Sequence, residues 1–378
     1  MAKYLFQLGT TPKLSLAELQ AVSNQSQVHC WWPQLVTQEL TSDQQAQEIF
    51  ALLGGAVKLL KIEQQLTQLT DSAIYQALVD YLLTQAPAEQ KIVFSLTSWG
   101  ATDLSLQAGE LKNLLKQQGR KARYLEAKRY GLSAAVLLHQ QVIELYVVFK
   151  DNRAYLARTL AVQDIDDWTK RDRHKPYANR KKGMLPPKLA RIMVNLAIGS
   201  QTNQLIYDPF CGTGTILIEA MLHNCQVIGS DLDRQAIQGT GANLEWAKKT
   251  YQLDQAAQVL VQDATQVKLA NLPGKVDAIV TEPFLGQPKP KPQQLPNIFK
   301  GLSKLYLGVF KNWQQLLKPQ AKVVMVFPRV ELNRQVFELS NLIDKLGSLG
   351  YTLEVEPLVY SRPQAVVKRE IRVFQYKG

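Results

Sequence analysis

Leu205-Ile-Tyr-Asp208-Pro209-Phe210-Cys211-Gly212-Thr213-Gly214-Thr215 decides the fold, together with the Ile216-Leu-Ile-Glu-Ala-Met-Leu222 that follows it. A short apolar run leads into an acid, a proline and two glycines, and the residues after Thr215 then space their apolar side chains like a helix. Strand, glycine turn and helix N-terminus in that order predict a nucleotide-type ligand site at the top of a parallel sheet. Gly212 and Gly214 lack the Cβ atoms that hold a ligand off the backbone. The first helical turn adds free N–H groups. The loop has no Gly-Lys-Ser/Thr ending, and the Asp208 carboxylate repels phosphate while suiting an ammonium or hydroxyls. These preferences point to S-adenosylmethionine, whose methionine end carries an amine, rather than to ATP or NAD.

The next hundred residues repeat the pattern. Val227-Ile-Gly-Ser-Asp231 reads as a second buried strand ending in a carboxylate, 17 residues after Gly214. An acid there holds a ribose diol in a βαβ unit. A helix is predicted from Arg234 to Lys249, and a third strand tip at Val259-Leu-Val-Gln-Asp263-Ala264, where Asp263 is able to accept from an exocyclic amine such as adenine N6. The expected cofactor contacts are Asp208, Pro209, Phe210, Gly212, Thr213, Gly214, Asp231, Leu232, Asp263 and Ala264. A fourth strand, Val276–Val280, ends in Thr281-Glu282-Pro283-Phe284-Leu285-Gly286.

With the glycine loop, Asp231, Asp263-Ala264 and this turn in order, the chain resembles the class I amino-methyltransferases, which methylate exocyclic amines of bases. Their fourth motif usually reads Asn/Asp-Pro-Pro-Tyr/Phe, in which the polar side chain and a backbone carbonyl accept from the target amine and the aromatic ring stacks on a flipped base. Lys170-Arg-Asp172 and Gly183-Met-Leu-Pro-Pro-Lys-Leu-Ala-Arg191 resemble more specifically the THUMP-containing RNA methylases, nearest the archaeal-type tRNA guanosine-10 N2-methyltransferase group. Tyr4-Leu-Phe-Gln-Leu-Gly9 and Leu14-Ser-Leu-Ala-Glu-Leu19 are similar to that group's opening. The resemblance implies a Rossmann-like α/β methyltransferase domain with a seven-stranded sheet, preceded by an α+β region. It further implies a ferredoxin-like subdomain over residues 1–55, a THUMP-like RNA-binding domain over 56–165, a basic linker over 166–191 and the methyltransferase domain over 192–378.

The same resemblance implies transfer of a methyl group to guanosine N2 in tRNA, with Glu282, Pro283 and Phe284 as the catalytic turn. The turn departs from the family pattern: Glu282 stands where Asp or Asn is expected, Phe284 replaces the second proline, and Leu285 takes the aromatic place. The alternatives are an rRNA or DNA amino-methyltransferase, or a catalytically inactive RNA-binding relative. Chemically, a ring amine is a poor nucleophile, so the expected mechanism is orientation rather than strong base catalysis. Glu282 and the Pro283 carbonyl would accept the amine protons.

Composition agrees. At 378 residues the chain is long enough for two or three domains. Three scattered cysteines suit neither a disulfide framework nor zinc, and no His/Cys spacing suggests any metal. Cys211 is expected to pack rather than react. No signal or long apolar span is seen, which predicts a cytoplasmic protein with no membrane partner. The net charge of +12 is uneven. Between Trp168 and Arg191 nine Lys/Arg face one acid, with Trp168 and Tyr177 interleaved. Lys170, Arg171, Arg173, Lys175, Arg180, Lys181 and Lys182 are therefore expected to meet RNA. A second basic cluster, Arg362, Lys368, Arg369, Arg372 and Lys377, lies near the end.

In the first 165 residues, strand-like runs at Tyr4–Leu8, Val28–Leu40, Val57–Ile62, Ile92–Leu96, Ala134–Leu138 and Val142–Phe149 alternate with helical patterns near 15–23, 43–53, 71–85 and 104–118. Asp151-Asn152-Arg153 reads as a hairpin turn. Beyond the fourth motif, a helix is expected over Ile298–Leu317 with Pro319 as its stop, a strand over Lys322–Phe327, a helix over Leu332–Gly347, and a closing antiparallel pair.

Overall fold

The computed structural model describes residues 1–23, 28–100, 107–128, 130–178, 184–332 and 334–378. The chain divides into two compact units. One is Met1–Pro12, Ser26–Ala51 and Ala56–Asp166; the other is Lys13–Gln25, Leu52–Gly55 and Asp167–Gly378.

The first unit is built on one sheet of eight strands: β1 (Ala2–Leu8), β2 (Val28–Trp32), β3 (Leu35–Leu40), β4 (Ala56–Leu66), β5 (Ile92–Trp99), β6 (Ala122–Tyr124), β7 (Ile143–Lys150) and β8 (Arg153–Val162). Their order is β2-β3-β1-β4-β8-β7-β5-β6. The helices of this part of the chain are α1 (Pro12–Val22), α2 (Asp43–Leu52), α3 (Asp71–Gln85), α4 (Ala108–Gln117), α5 (Ala134–His139) and α6 (Ile165–Arg173), of which α1 from Lys13 and α6 from Asp167 belong to the second unit. The β7–β8 hairpin turns where expected, because Asp151 and Asn152 both adopt positive φ, the backbone a two-residue primed turn requires. Leu78, Phe94, Leu111 and Leu145 lie in one core between helices α3 and α4 and the sheet.

Two expectations fail here. Val28–Leu40 is a hairpin, not one strand, since Pro33 cannot continue the ladder. Ala134–Leu138 is helical: Ser133 accepts the Val136 N–H as an N-cap, and five apolar residues alone cannot distinguish a strand from a helix.

The second unit carries the methyltransferase fold. Its strands are β9 (Leu205–Asp208), β10 (Gln226–Asp231), β11 (Ala257–Val261), β12 (Val276–Thr281), β13 (Leu317–Leu332), β14 (Gln335–Phe337), β15 (Tyr351–Leu353), β16 (Leu358–Tyr360) and β17 (Val367–Tyr376). Its helices are α7 (Pro187–Ile198), α8 (Thr215–Met221), α9 (Arg234–Tyr251), α10 (Leu295–Trp313) and α11 (Ser340–Gly347), and α1 packs with them. The main path runs β11-β10-β9-β12-β13-β17-β15, which is the expected seven-stranded sheet, with β14 and β16 added beside β13 and β17. β9 to β13 pair parallel, whereas β17 is antiparallel to both β13 and β15.

The strands read as continuous apolar runs because both faces are covered. Ile206, Ala278, Val280, Val324 and Val326 pack with α7 and α8 on one face. Tyr207, Ile279, Val323, Met325 and Phe327 alternate with them and pack with α10 and α11 on the other.

Other expectations are corrected. α10 ends at Trp313, so Pro319 does not stop it but lies within β13, next to the positive-φ Gln320. The helix expected from Leu332 begins only at Ser340, because Leu332 still belongs to β13 and Gln335–Phe337 pairs with it as β14. The basic stretch 166–191 is not a separate linker. From Asp167 it belongs to the second unit, and α7 starts inside it at Pro187.

Candidate active site

The glycine loop joins β9 to α8. Gly214 is the N-cap of α8 with φ +74°, and a Cβ there would lie 2.8 Å from Thr240 Cγ2, so both backbone and space call for glycine. Gly212, φ +53°, is different: a Cβ there would meet only the Phe210 carbonyl, at 3.9 Å, so its side faces open space of the kind a ligand fills. Helix α9 holds the loop from below. Thr240 Oγ1 donates to the Gly212 carbonyl (2.8 Å) and Asn243 Nδ2 to the Thr213 carbonyl (2.8 Å). Both side chains are fully buried polar groups on an otherwise apolar helix face, a legible signal that sequence reasoning missed. Cys211 is buried against Gly229 and Thr240, and burial pushes its thiol well up, so it is a packing residue as expected.

Four acids gather at the strand ends. Asp208 is buried, and its Oδ1 accepts from Thr281 Oγ1 (2.6 Å) and from the Phe210 N–H (3.1 Å). Asp231 accepts from the Gly212 N–H (3.1 Å) and the Asp233 N–H (2.9 Å). Burial raises the Asp208 carboxyl to about 7; its two hydrogen bonds oppose this, and the charges of Asp231 and Glu282 add to it. Asp263 lies two residues beyond β11 rather than at the strand's own tip, and its Oδ1 accepts from the Thr265 N–H and hydroxyl, both at 2.8 Å. Ala264 is buried beneath it, and Pro209 and half-buried Phe210 complete the loop. Leu232 and Val261 are 69% and 48% exposed, leaving apolar surface bare beside the loop acids.

The turn after β12 is anchored differently. Pro283 is buried and Phe284 is 61% exposed. Tyr306 of α10 donates its hydroxyl to the Phe284 carbonyl (2.8 Å), fixing the turn. Arg369 of β17 donates Nε to Glu282 Oε1 at 2.6 Å. Thus one member of the second basic cluster meets the fourth motif directly. Tyr306 was not legible as a site residue, and the basic cluster pointed to no particular contact of Arg369, because only the sheet order brings α10 and β17 to this turn.

The expected RNA contacts separate. Arg171 and Lys175 are buried and are withdrawn from that role. Arg171 donates to both oxygens of Glu219 (2.8 and 2.6 Å), and Arg191 Nε donates to Glu219 Oε2 (2.8 Å). Glu219 sits on α8, inside the core, so it needs cationic partners and draws these two from the basic stretch. Lys175 Nζ donates to Thr215 Oγ1 (2.8 Å) at the start of α8, placing it beside the glycine loop, and burial lowers its pKa. Trp168 is not a free stacking face either: Arg171 lies 3.8 Å and Lys188 5.6 Å from its ring centroid. Tyr177 is half-buried against Gly239. Lys170 is half-buried over Tyr251 and Arg173 is exposed. Arg180, Lys181 and Lys182 lie outside the described residues.

Among the described residues no group of His, Cys, Asp and Glu is arranged to hold a metal, and no helix is long and apolar enough to cross a membrane.

Residues 175–342 match the model of the RMKL-like methyltransferase domain, and residues 83–242 that of a DNA methylase family. The tRNA (guanine(10)-N2)-dimethyltransferase of Methanocaldococcus jannaschii is 34% identical over 210 residues, 54% of this chain and 55% of that protein. A probable tRNA (guanine(10)-N2)-dimethyltransferase of Methanothermococcus thermolithotrophicus is 36% identical over 160 residues, 41% of this chain and 89% of the relative. The Methanothermobacter thermautotrophicus protein of the same name is 41% identical over 140 residues, 37% of this chain and 38% of its own length. The match thus spans about half the length, or less, of two of these three relatives. Among solved structures, TrmN from Thermus thermophilus superposes with a TM-score of 0.56 at 18% identity over the whole of both chains. SMU.472, a putative methyltransferase complexed with SAH, gives 0.50 at 10% identity, over all of this chain and 98% of its own. These likenesses are of fold.

Proposed function

The chain belongs to the family of the tRNA (guanine(10)-N2)-dimethyltransferases, and from that premise we propose that it transfers methyl groups from S-adenosylmethionine to a guanosine N2 amine of tRNA. The observation that carries this is the gathering of Asp208, Asp231 and Glu282 around an open glycine loop. A carboxyl raised to about 7 by burial, with two further acids beside it, is an arrangement that a cation relieves.

The residues present fit the cofactor. Asp208 keeps Oδ2 clear of protein hydrogen bonds among the described residues, for the methionine ammonium. Asp231 would hold the ribose diol, Asp263 would accept from an exocyclic amine, and exposed Leu232 and Val261 would cover the faces of a purine. The loop from Pro209 to Gly214 supplies backbone, and Lys175 at Thr215 supplies a counter-charge for a carboxylate. When bound, S-adenosylmethionine supplies a methyl group activated on a sulfonium.

The chain's own part is orientation. Glu282 and the Pro283 carbonyl accept from the base amine, which draws the nitrogen lone pair out of the ring plane, and Phe284 offers a face to the base. The proton released on methylation passes to Glu282 or to solvent. For RNA capture we propose that the first unit is the ferredoxin-like and THUMP region, divided near residue 55, and that exposed Arg173 and the stretch 179–183 contribute cationic contacts. A base amine of another nucleic acid is the second reading, favoured by the DNA methylase match over residues 83–242.

The test is transfer of labelled methyl groups to unmodified tRNA, read by nucleoside mass spectrometry. N2-methylated guanosine is expected. Protein that binds S-adenosylmethionine and tRNA yet modifies no base overturns the proposal.

A further inference from the structure

Glu282 carries one methylene more than the Asp of the motif that the turn resembles, and the structure shows what the extra length reaches. β12 lies beside β13, and β13 beside β17, with Thr281 paired to Met325, Met325 to Arg372 and Pro328 to Arg369. Arg369 therefore stands three residues beyond the end of β12, at the level of the turn. Its Nε donates to Glu282 Oε1 at 2.6 Å, and the two side chains are only 16% and 17% exposed. A charge-assisted bond in so sheltered a place fixes the carboxylate's orientation. Oε2 of Glu282 makes no hydrogen bond among the described residues, so one oxygen is anchored and the other is available.

We propose that Arg369 is the positioning residue for Glu282, holding its carboxylate so that Oε2 receives the base amine, and that Glu rather than Asp occupies 282 because only Glu spans to Arg369. This inference rests on the methyl-transfer reading above. Two features support it. An Asp carboxylate would fall about 1.5 Å short, one methylene less, and a displacement of that size costs about 100-fold in an oriented reaction. Glu282 also faces the negative charge of Asp208, which would push an unanchored carboxylate away from the cofactor side. Neighbouring cations of β17 are already engaged with other acids, Lys368 with Glu331 and Arg372 with Glu370. On the turn's other side Tyr306 holds the Phe284 carbonyl, so backbone and side chain are fixed from two different elements.

The experiment compares wild type with Arg369→Gln, Arg369→Lys, Glu282→Asp, Glu282→Gln and the double variant Arg369→Gln/Glu282→Gln. It uses the full chain, tRNA and labelled S-adenosylmethionine, with kcat, KM for tRNA, cofactor Kd and thermal midpoint measured for each. Arg369→Gln is expected to lower kcat by about 10- to 100-fold while KM and cofactor Kd stay within about twofold, as for an interaction made in the transition state alone. Arg369→Lys recovers part of that loss, and Glu282→Asp is no better than Arg369→Gln. In the Glu282→Gln background, removing Arg369 costs less than about twofold more, because the two residues act as one unit. Arg369→Gln at wild-type kcat, or losses that multiply in the double variant, overturns the inference alone. If Arg369→Gln does not fold, the lysine and Glu282→Asp variants decide by the same criteria. Wild-type protein that transfers no methyl group overturns the methyl-transfer reading, and this inference with it.

Discussion

The glycine loop after β9 and the turn after β12 are built on opposite plans. At the loop, the geometry comes from nearby sequence: Gly214 at positive φ, Asp208 accepting the N–H two residues on, and Asp231 accepting from Gly212. Support from elsewhere is added by α9, by Thr281 on Asp208 and by Lys175 on Thr215. At the turn, the fixing contacts come from residues 22 and 87 positions away, Tyr306 and Arg369. Backbone-made sites tolerate little variation and keep a recognisable sequence. A turn held by distant side chains does not depend on its own sequence alone for its shape, and the Glu-Pro-Phe-Leu turn has two such holders.

Substitutions that act on one plan and not the other sharpen the contrast. The largest effect is expected at Glu219, whose carboxylate neutralises Arg171 and Arg191 inside the core under the cofactor loop. Glu219→Gln removes the buried counter-charge of Arg191 and leaves Arg171 with Asp167 alone, and should cost about 3 kcal/mol of stability in denaturant unfolding. A loss below about 1 kcal/mol would mean that the basic stretch is not an anchor. Next comes Glu282→Ala, expected to lower kcat about 10²- to 10³-fold, the range for removing a preorganised polar group. Cofactor Kd, measured by calorimetry, should rise far less than kcat falls, because Asp208 and Asp231 remain in place. If cofactor binding fails with it, the turn and the loop are a single site and the contrast dissolves.

A smaller effect is a pH dependence confined to the loop. Asp208 titrates near 7 in the folded chain, well above an ordinary carboxyl. A raised carboxyl pKa means that the folded protein holds the extra proton between the two values, so its contribution to stability falls as pH rises through that window. Cofactor affinity runs the other way, because a cationic ligand prefers the ionised form. Between pH 6 and 8 the apparent Kd should fall about tenfold, since only the deprotonated fraction is competent. About half a proton should be released per cofactor bound at pH 7, and nearly a whole one at pH 6, and Asp208→Asn should flatten the profile. A pH-independent Kd in the wild type would place the cofactor's charge elsewhere.

The same contrast explains what the sequence made legible. Strands, their order and the strand-end acids of the second unit follow from apolar runs, glycines and carboxylates, all local signals. The antiparallel β17 between β13 and β15 follows from the fold resemblance. What local signals missed depends on packing. Ala134–His139 is too short for periodicity to settle, and its cap decides it. Pro319 enters a strand because the β13 register shifts beside it. Arg171 and Lys175 looked like surface charge because a stretch rich in cations gives no hint that a buried Glu219 and a buried Thr215 await two of them. Charge counts report composition, whereas burial reports partners.

The smallest effect should come from Phe284, and it separates two accounts of the turn. The ring is 61% exposed, so Phe284→Ala should change stability by less than about 0.5 kcal/mol. Stacking of a base on an aromatic ring is worth about 1–3 kcal/mol. Phe284 stands one position earlier than the aromatic of the motif it resembles, and its carbonyl is held by Tyr306, so its face is set by α10 rather than by the turn's own proline. A ring placed in this way should act at the low end of that range. Loss of about 1 kcal/mol is about fivefold in kcat/KM for tRNA. Phe284→Trp should restore the loss and Phe284→Leu should not, because a leucine covers similar area without a π-face. If leucine serves as well as phenylalanine, the residue merely shields the amine from water, and recognition of the base falls to Glu282 and the Pro283 carbonyl alone.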